Sequence, residues 1–222
     1  MDGNTGMNFL LELDDVYKSF AGTQVLRGVS AQFEPGMCHA IVGPNGSGKS
    51  VLMKVICGLL TVDAGSVRRS AAISKHDRPL PGAIGAVIDR PAFLPLSRGF
   101  DNLKDLAKIL NRVTDDEIRS SMEEVGLDPN LKQRVRNYSL GMKQKLGLAQ
   151  ALMEHPPLLV LDEPLNALDS ASVETVRKII RARVDAGSTV IFTSHNSEDI
   201  KLLADRVWQL HDGKLELTVD AA

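Results

Sequence analysis

Residues 43–50 read Gly-Pro-Asn-Gly-Ser-Gly-Lys-Ser, which fits the pattern Gly-x-x-x-x-Gly-Lys-Ser/Thr. Glycines let successive backbone N–H groups curl around an anion, and a helix that begins at the loop adds a positive dipole. In this pattern Lys49 reaches the β- and γ-phosphates of a nucleotide, and the Ser50 hydroxyl binds Mg²⁺. A glycine-rich turn before a helix is the alternative, but the strand–loop–helix context favours phosphate binding. The predicted nucleotide-binding residues are Gly43, Asn45, Gly46, Ser47, Gly48, Lys49, Ser50 and Val51.

Two acids, Asp162 and Glu163, directly follow the apolar run 158–161. A buried strand there would place Asp162 at the edge of a sheet, where it can hold Mg²⁺ through water opposite Ser50. Glu163 comes next and can polarise an attacking water. A strand that leads into an acidic surface loop is the alternative. The phosphate loop in the same chain favours a catalytic role for both acids.

The elements that position these groups alternate in type along the chain. Apolar and alternating runs predict strands at residues 9–13, 25–33, 38–42, 158–161 and 189–193, and a hairpin of strands 207–210 and 215–219. Helical spacing appears after residue 50, across 101–151 and over 173–184. This alternation predicts an α/β protein with a parallel sheet wrapped by helices and a mainly helical insertion at about residues 90–155.

Three further segments resemble motifs of ABC-type ATPases. Residues 138–145, Tyr-Ser-Leu-Gly-Met-Lys-Gln-Lys, resemble the signature segment; residues 165–169 resemble the D-loop and 193–195 the switch histidine. The resemblance covers about residues 9–219 and implies ATP and Mg²⁺ as ligands. It implies a P-loop NTPase (RecA-like) core with an N-terminal antiparallel β subdomain and an inserted α-helical subdomain. We expect one domain over 1–222, with core 9–89 and 156–219 and helical subdomain 90–155.

In ABC dimers each nucleotide lies between the phosphate loop of one subunit and the signature of the other. Here Ser139, Leu140 and Gly141 precede a predicted helix, so that their N–H groups form a second anion site, with Met142 completing the signature. A serine N-cap followed by a glycine that allows tight packing is the alternative. The resemblance implies a two-fold pair. A homodimer is the default because this chain holds every motif, and a heterodimer with a related cassette stays open.

The resemblance also assigns roles to three single residues. His195 would contact the γ-phosphate and hold Glu163 and the water in place, although a histidine after a strand is more often structural. Asp169 would stabilise the opposite site from across the interface. Phe20 would stack on adenine, with Tyr17 as the less favoured choice and a core phenylalanine in a hairpin as the alternative.

The chain departs from the family pattern at Asp89, where the family usually has a glutamine that touches Mg²⁺. An acid there is similar to the corresponding loop of lantibiotic and related antimicrobial-peptide exporters, and Asp89 can still bind Mg²⁺ through water. Met142 replaces a glutamine, as in drug and peptide exporter cassettes. Residues 91–96, which include Pro91, Phe93 and Leu94, form an apolar segment that we expect in a docking groove for a membrane subunit. Buried core is the alternative for this segment.

Composition narrows the partners. The chain has 222 residues and a formal charge of −2, without the basic excess of a nucleic-acid binder. No apolar run is long enough to span a membrane, and the start of the chain is not a secretory signal. We therefore expect an ATPase in the cytoplasm, held on the inner face of the membrane by separately encoded permease subunits, and powering export of a peptide or drug-like amphiphile. The alternatives are an importer, a soluble ABC ATPase acting on nucleic acid, ribosomes or cofactor assembly, and a nucleotide-gated switch that does not hydrolyse.

Overall fold

The structure is a computed structural model that describes residues 9–75, 78–79, 82–89 and 92–220. The strands in this part of the chain are β1 (Leu11–Phe20), β2 (Thr23–Phe33), β3 (Cys38–Val42), β4 (Ala64–Arg69), β5 (Ser74–Lys75), β6 (Arg78–Pro79), β7 (Ile84–Val87), β8 (Leu158–Leu161), β9 (Thr189–Thr193), β10 (Arg206–His211) and β11 (Lys214–Asp220). The α-helices are α1 (Lys49–Ile56), α2 (Gly99–Leu110), α3 (Asp115–Glu124), α4 (Leu140–Leu152), α5 (Ser170–Asp185) and α6 (Ser197–Leu203).

Six strands form the central sheet in the order β11-β10-β3-β9-β8-β7. All neighbours are parallel except β10 and β11, which form the predicted hairpin. Side chains alternate along β8, so that Leu158 and Val160 join one hydrophobic cluster while Leu159 and Leu161 join another. Helices or the second sheet cover both faces, which is why β8 is continuously apolar. The predicted α/β core is confirmed, and the carboxyl ends of β3, β8 and β9 meet at one edge.

The N-terminal subdomain is an antiparallel sheet of three strands in the order β2-β1-β4. The strand predicted over 9–13 in fact continues to Phe20, and β4 was not predicted. The register of β1 shifts after Leu13, and Asp15 has a left-handed φ of 49°. This bulge breaks the alternation that identifies a strand in sequence. Gly65 lets β4 pass the bulge, because a Cβ there would lie 2.2 Å from the carbonyl oxygen of Asp15.

The helical insertion consists of α2, α3 and α4, so the helical stretch predicted over 101–151 is interrupted twice. Asn111, with a φ of 51°, ends α2. Thr114 and Glu117 then form a capping box that begins α3. After α3, Gly126 has a left-handed φ of 70°, a glycine conformation that is typical just after the end of a helix. None of the helices in the described part of the chain has the length and apolar character needed to cross a bilayer.

Candidate nucleotide-binding and catalytic site

The phosphate loop joins β3 to α1 along the edge where the parallel strands end. Its glycines are required by close contacts: a Cβ at Gly43 would lie 2.3 Å from the carbonyl oxygen of Leu210, and one at Gly48 would lie 2.8 Å from a methyl group of Val25. Gly46 has a φ of 80°, a left-handed conformation that L side chains rarely adopt. The loop thus has the backbone geometry that its sequence predicts.

A cleft opens beside this loop, and it gathers residues from four separate parts of the sequence. Its lining residues are Val25, Asn45, Gly46, Gly48, Lys49, Ser50, Val51, Asp89, Asp162 and Glu163. Lys49 Nζ donates to the carbonyl oxygens of Gly43 at 2.7 Å and Pro44 at 3.0 Å, so its charge is held over the loop. The cleft therefore contains most of the residues that the sequence assigned to nucleotide and metal.

Asp162 is held by two hydroxyl groups. Ser50 Oγ donates to its Oδ2 at 2.6 Å, and Thr193 Oγ1 donates to its Oδ1 at 2.6 Å. The same Thr193 oxygen accepts from the backbone N–H of Glu163 at 2.8 Å. Thr193, fully buried at the end of β9, therefore positions both acids. In the sequence Thr193 stands out only as part of the switch segment, because the contact joins residues 31 positions apart and no local pattern indicates it.

Glu163 and His195 face each other across the ends of β8 and β9. His195 Nδ1 lies 3.1 Å from Glu163 Oε2, and because a carboxylate only accepts, the histidine nitrogen is the donor. Glu163 has a left-handed φ of 49°, an unusual conformation for a glutamate that turns the chain sharply after the strand. The His195 side chain is 72% exposed, so its ring is not part of the hydrophobic core.

The oxygen atoms of Ser50 and Asp162 form a donor set that suits Mg²⁺. A hydroxyl and a carboxylate are hard oxygen ligands, and here they already lie 2.6 Å apart at the helix end that faces the cleft. Asp89, the third predicted metal residue, also lines the cleft, but its carboxylate contacts Lys54 at 2.6 Å.

The signature residues are not among those that line the cleft. Ser139 caps α4, its Oγ accepting from the backbone N–H of Met142 at 3.2 Å, and a Cβ at Gly141 would lie 2.7 Å from the carbonyl oxygen of Ala167. Ser139 therefore does act as an N-cap, and Gly141 does allow tight packing. Leu140, the first residue of the helix, is 58% exposed. From the same helix, Gln144 donates to the carbonyl oxygens of Glu163 and Pro164 at 3.2 and 3.1 Å, a link that the sequence did not predict.

Asp169 and Phe20 lie outside the cleft. Asp169 caps α5, and the N–H of Ser172 donates to its Oδ1 at 2.8 Å, which lowers the pKa of this carboxyl. Phe20 is 43% exposed, so it is not the core phenylalanine of the alternative. Its cross-strand neighbour Thr23 lines a second pocket with Gly46 on the flank of the phosphate loop.

Comparison of the sequence with models of known families identifies the family of this chain. A model described as ABC transporter matches residues 26–166, more than half of the chain, and the chain therefore belongs to this family. It is an ATP-binding, ATP-hydrolysing subunit of the ABC transporter type. The expectation of an ATPase is thereby confirmed.

Curated relatives agree along nearly the whole chain. An uncharacterized ABC transporter ATP-binding protein of Bacillus subtilis, YybJ, is 37% identical over 207 residues, covering 93% of this chain and 95% of the relative. The lantibiotic transport ATP-binding protein SrtF of Streptococcus pyogenes is 34% identical over 209 residues, covering 94% and 90%. The bacitracin transport ATP-binding protein BcrA of Enterococcus faecalis is 32% identical over 211 residues, covering 94% and 68%.

Solved structures agree on the fold. An ATP-binding cassette solved as a dimer in a post-hydrolysis state with ADP and Pi superposes with a TM-score of 0.84 at 22% identity, covering 96% of this chain and 99% of that one. An ATP-binding subunit of an ABC transporter superposes with a TM-score of 0.82 at 23% identity, covering 95% and 90%.

Proposed function

We propose that this ATPase powers export of a peptide or drug-like amphiphile through separately encoded membrane subunits. Two relatives carry names of lantibiotic and bacitracin transport, which favours a transport role over the soluble alternative. Asp89 and Met142, which replace two glutamines of the general pattern, support the export direction. The protein would then work in the cytoplasm, on the inner face of the membrane.

The network that joins Ser50, Asp162, Thr193 and Glu163 is the observation that carries the catalytic assignment. Lys49 and the loop N–H groups bind the phosphates, and Ser50 and Asp162 hold Mg²⁺, which when bound neutralises charge on the phosphate oxygens. Glu163 accepts a hydrogen bond from the attacking water and acts as the general base that takes up its proton. His195 keeps that carboxylate in place.

Two copies of the chain would complete each site, with Ser139 to Met142 of one copy facing the γ-phosphate held by the other. The first turn of α4 offers the positive end of a helix of 13 residues, and Leu140 leaves that end accessible. The phosphate loop and the first turn of α4 are two separate anion-binding groups of one chain. In a two-fold pair, each group of one copy can meet the other group of the second copy.

The apolar segment after Asp89 is proposed as a docking surface formed by Leu94 and Leu96, without Phe93. Phe93 is half-buried and packs against the core cluster, whereas Leu94 and Leu96 are 58% and 60% exposed. Pro91, also predicted in this groove, lies outside the described residues. The side chain of Asn102 fixes the backbone of Leu94, accepting from its N–H at 2.7 Å and donating to its carbonyl at 3.2 Å. The two exposed leucines are therefore presented on an anchored backbone.

The proposal is tested by affinity capture from detergent-solubilised native membranes. The bait is the tagged chain with Glu163→Gln, loaded with ATP and Mg²⁺, and the co-purifying chains are identified by mass spectrometry. We expect a stoichiometric multi-span membrane subunit. A soluble or nucleic-acid partner in its place would overturn transport while leaving the ATPase chemistry intact.

The docking surface is tested in the same capture. Leu94→Asp with Leu96→Asp should remove the membrane subunit and leave ATP binding unchanged, because both side chains are exposed. Leu217→Asp is the matched control, since Leu217 is 48% exposed on β11 at the other end of the central sheet. Full capture by the doubly substituted chain would contradict docking at this segment.

A further inference from the structure

Three carboxylates lie together at the edge of the sheet where the phosphates would bind: Asp89, Asp162 and Glu163. They are close because β7 and β8 are neighbours, and the N–H of Asp162 donates to the carbonyl oxygen of Val87 at 2.7 Å. Asp162 receives two hydroxyl hydrogen bonds and Glu163 faces His195. A third acid beside a polyphosphate adds repulsion unless a cation compensates it.

Lys54 supplies that cation. Its Nζ lies 2.6 Å from Oδ2 of Asp89, and the two side chains are 35% and 52% exposed. Lys54 is four residues after Ser50 on α1, so both residues project from the same face of the helix, about 6 Å apart along its axis. The cation that meets Asp89 therefore belongs to the helix that begins at the phosphate loop.

The backbone of Asp89 has a left-handed φ of 57°, a conformation uncommon for residues other than glycine. Lys49 is the one basic residue among those lining the cleft, and it is engaged by the carbonyls of Gly43 and Pro44. Lys49 is thus held at the loop, where the phosphates would bind, and Lys54 is the residue that pairs with the extra acid.

We propose that Lys54 is the charge partner that makes an acid at position 89 compatible with a bound nucleotide. By holding the Asp89 carboxylate, Lys54 offsets its repulsion of the phosphates and fixes its distance from the metal-binding oxygens. Lys54 is thus a positioning residue that acts through Asp89. This inference rests on the proposed nucleotide site and goes beyond it, because it assigns a role to a residue outside the phosphate-loop pattern.

The test is a double-mutant cycle on nucleotide affinity, measured on the full chain with Mg²⁺ and a fluorescent, non-hydrolysable ATP analogue. Lys54→Met should raise the dissociation constant about fivefold or more, since the Asp89 charge is then uncompensated, and added salt should reduce the effect. In the Asp89→Asn background the same Lys54→Met substitution should change the dissociation constant by less than about twofold relative to Asp89→Asn alone, because the charge that Lys54 compensates is then absent. Lys104→Met is the matched control, because Lys104 on α2 forms a similar exposed ion pair at 2.5 Å with Asp115 at the start of α3, away from the cleft.

Two results would overturn the inference: an unchanged dissociation constant for Lys54→Met, or equal weakening by Lys54→Met with and without Asp89→Asn. The second result would mean that Lys54 acts directly on the nucleotide or on the fold. Failure of the unsubstituted chain to bind the analogue would instead overturn the proposed nucleotide site, and this inference with it. The two failures are therefore distinguishable in one set of titrations.

Discussion

The phosphate-loop cleft and the signature segment differ in how far each is completed within one chain. In the cleft, side chains from α1 and from the ends of β8 and β9 bind one another, with Asp162 held at 2.6 Å by hydroxyls on both sides. In the signature, Ser139 caps its own helix and Leu140 is 58% exposed. The contacts among the cleft residues are thus made within one chain, whereas the signature exposes an apolar side chain at the start of its helix.

The two regions are nonetheless connected. Gln144, in the second turn of α4, donates to the carbonyl oxygens of Glu163 and Pro164 at 3.2 and 3.1 Å. The helix that carries the signature is thus hydrogen-bonded to the loop that carries Glu163, the proposed catalytic acid, in the same chain. A change in the position of α4 would therefore be transmitted directly to Glu163, and the proposed docking on the helical subdomain would act on catalysis by this route.

Leu140→Glu is expected to have the largest effect and tests whether the signature serves a second chain. A carboxylate there would face the γ-phosphate of the other copy and should lower ATP turnover by at least about 30-fold, since like charges at an interface cost several kcal/mol. Unfolding temperature should not fall, because acids are favoured in the first turn of a helix. Steady-state phosphate release and thermal unfolding check both points.

Leu140→Gln is the matched control for that charge. It has a similar size and no charge, and it should keep turnover within about threefold of the parent, because only the charge meets the phosphate. Equal losses of ATP turnover with glutamine and glutamate would show that Leu140 acts by packing. The signature would then not differ from the cleft in serving a second chain.

Thr193→Val tests the finished cleft. The substitution keeps the shape but leaves Asp162 Oδ1 and the N–H of Glu163 without their shared partner, so the free energy of unfolding should fall by about 2 kcal/mol. Thr193→Ser keeps the hydroxyl and should lose much less. Urea unfolding of the three chains decides, and a valine variant as stable as the parent would contradict the assembled network.

Phe20→Ala is expected to have the smallest effect and tests the predicted contact of Phe20 with the adenine base. Base stacking on an aromatic ring contributes about 1–3 kcal/mol and is tolerant of the base, so ATP and GTP affinities should fall together by about fivefold to tenfold. Phe20→Trp should restore both. Equilibrium titrations with the two nucleotides check this, and a loss confined to ATP would mean that the residue recognises the base in another way.

The elements that could be predicted from the sequence are those whose pattern lies within a short, continuous segment. Strand β8, strand β9 and the phosphate loop each carry their pattern within a few residues, and the structure places them as expected. Thr193 and Lys54 were missed as partners of acids because those acids lie 31 and 35 positions away, and no local pattern encodes such contacts. Strand β4 was missed because it carries Gly65 and pairs with β1 at a bulge.

In this interpretation one chain holds two half-sites, and only a second chain can join them. Glu163→Gln should retain ATP, lose turnover and accumulate a closed pair, since the water-activating carboxylate is gone while the phosphate contacts remain. Analytical ultracentrifugation of this variant with ATP and Mg²⁺ measures it most directly, with Leu140→Glu added as the variant that should stay single. We predict a species of two chains with two nucleotides; a single chain that binds ATP tightly at every protein concentration would contradict the account.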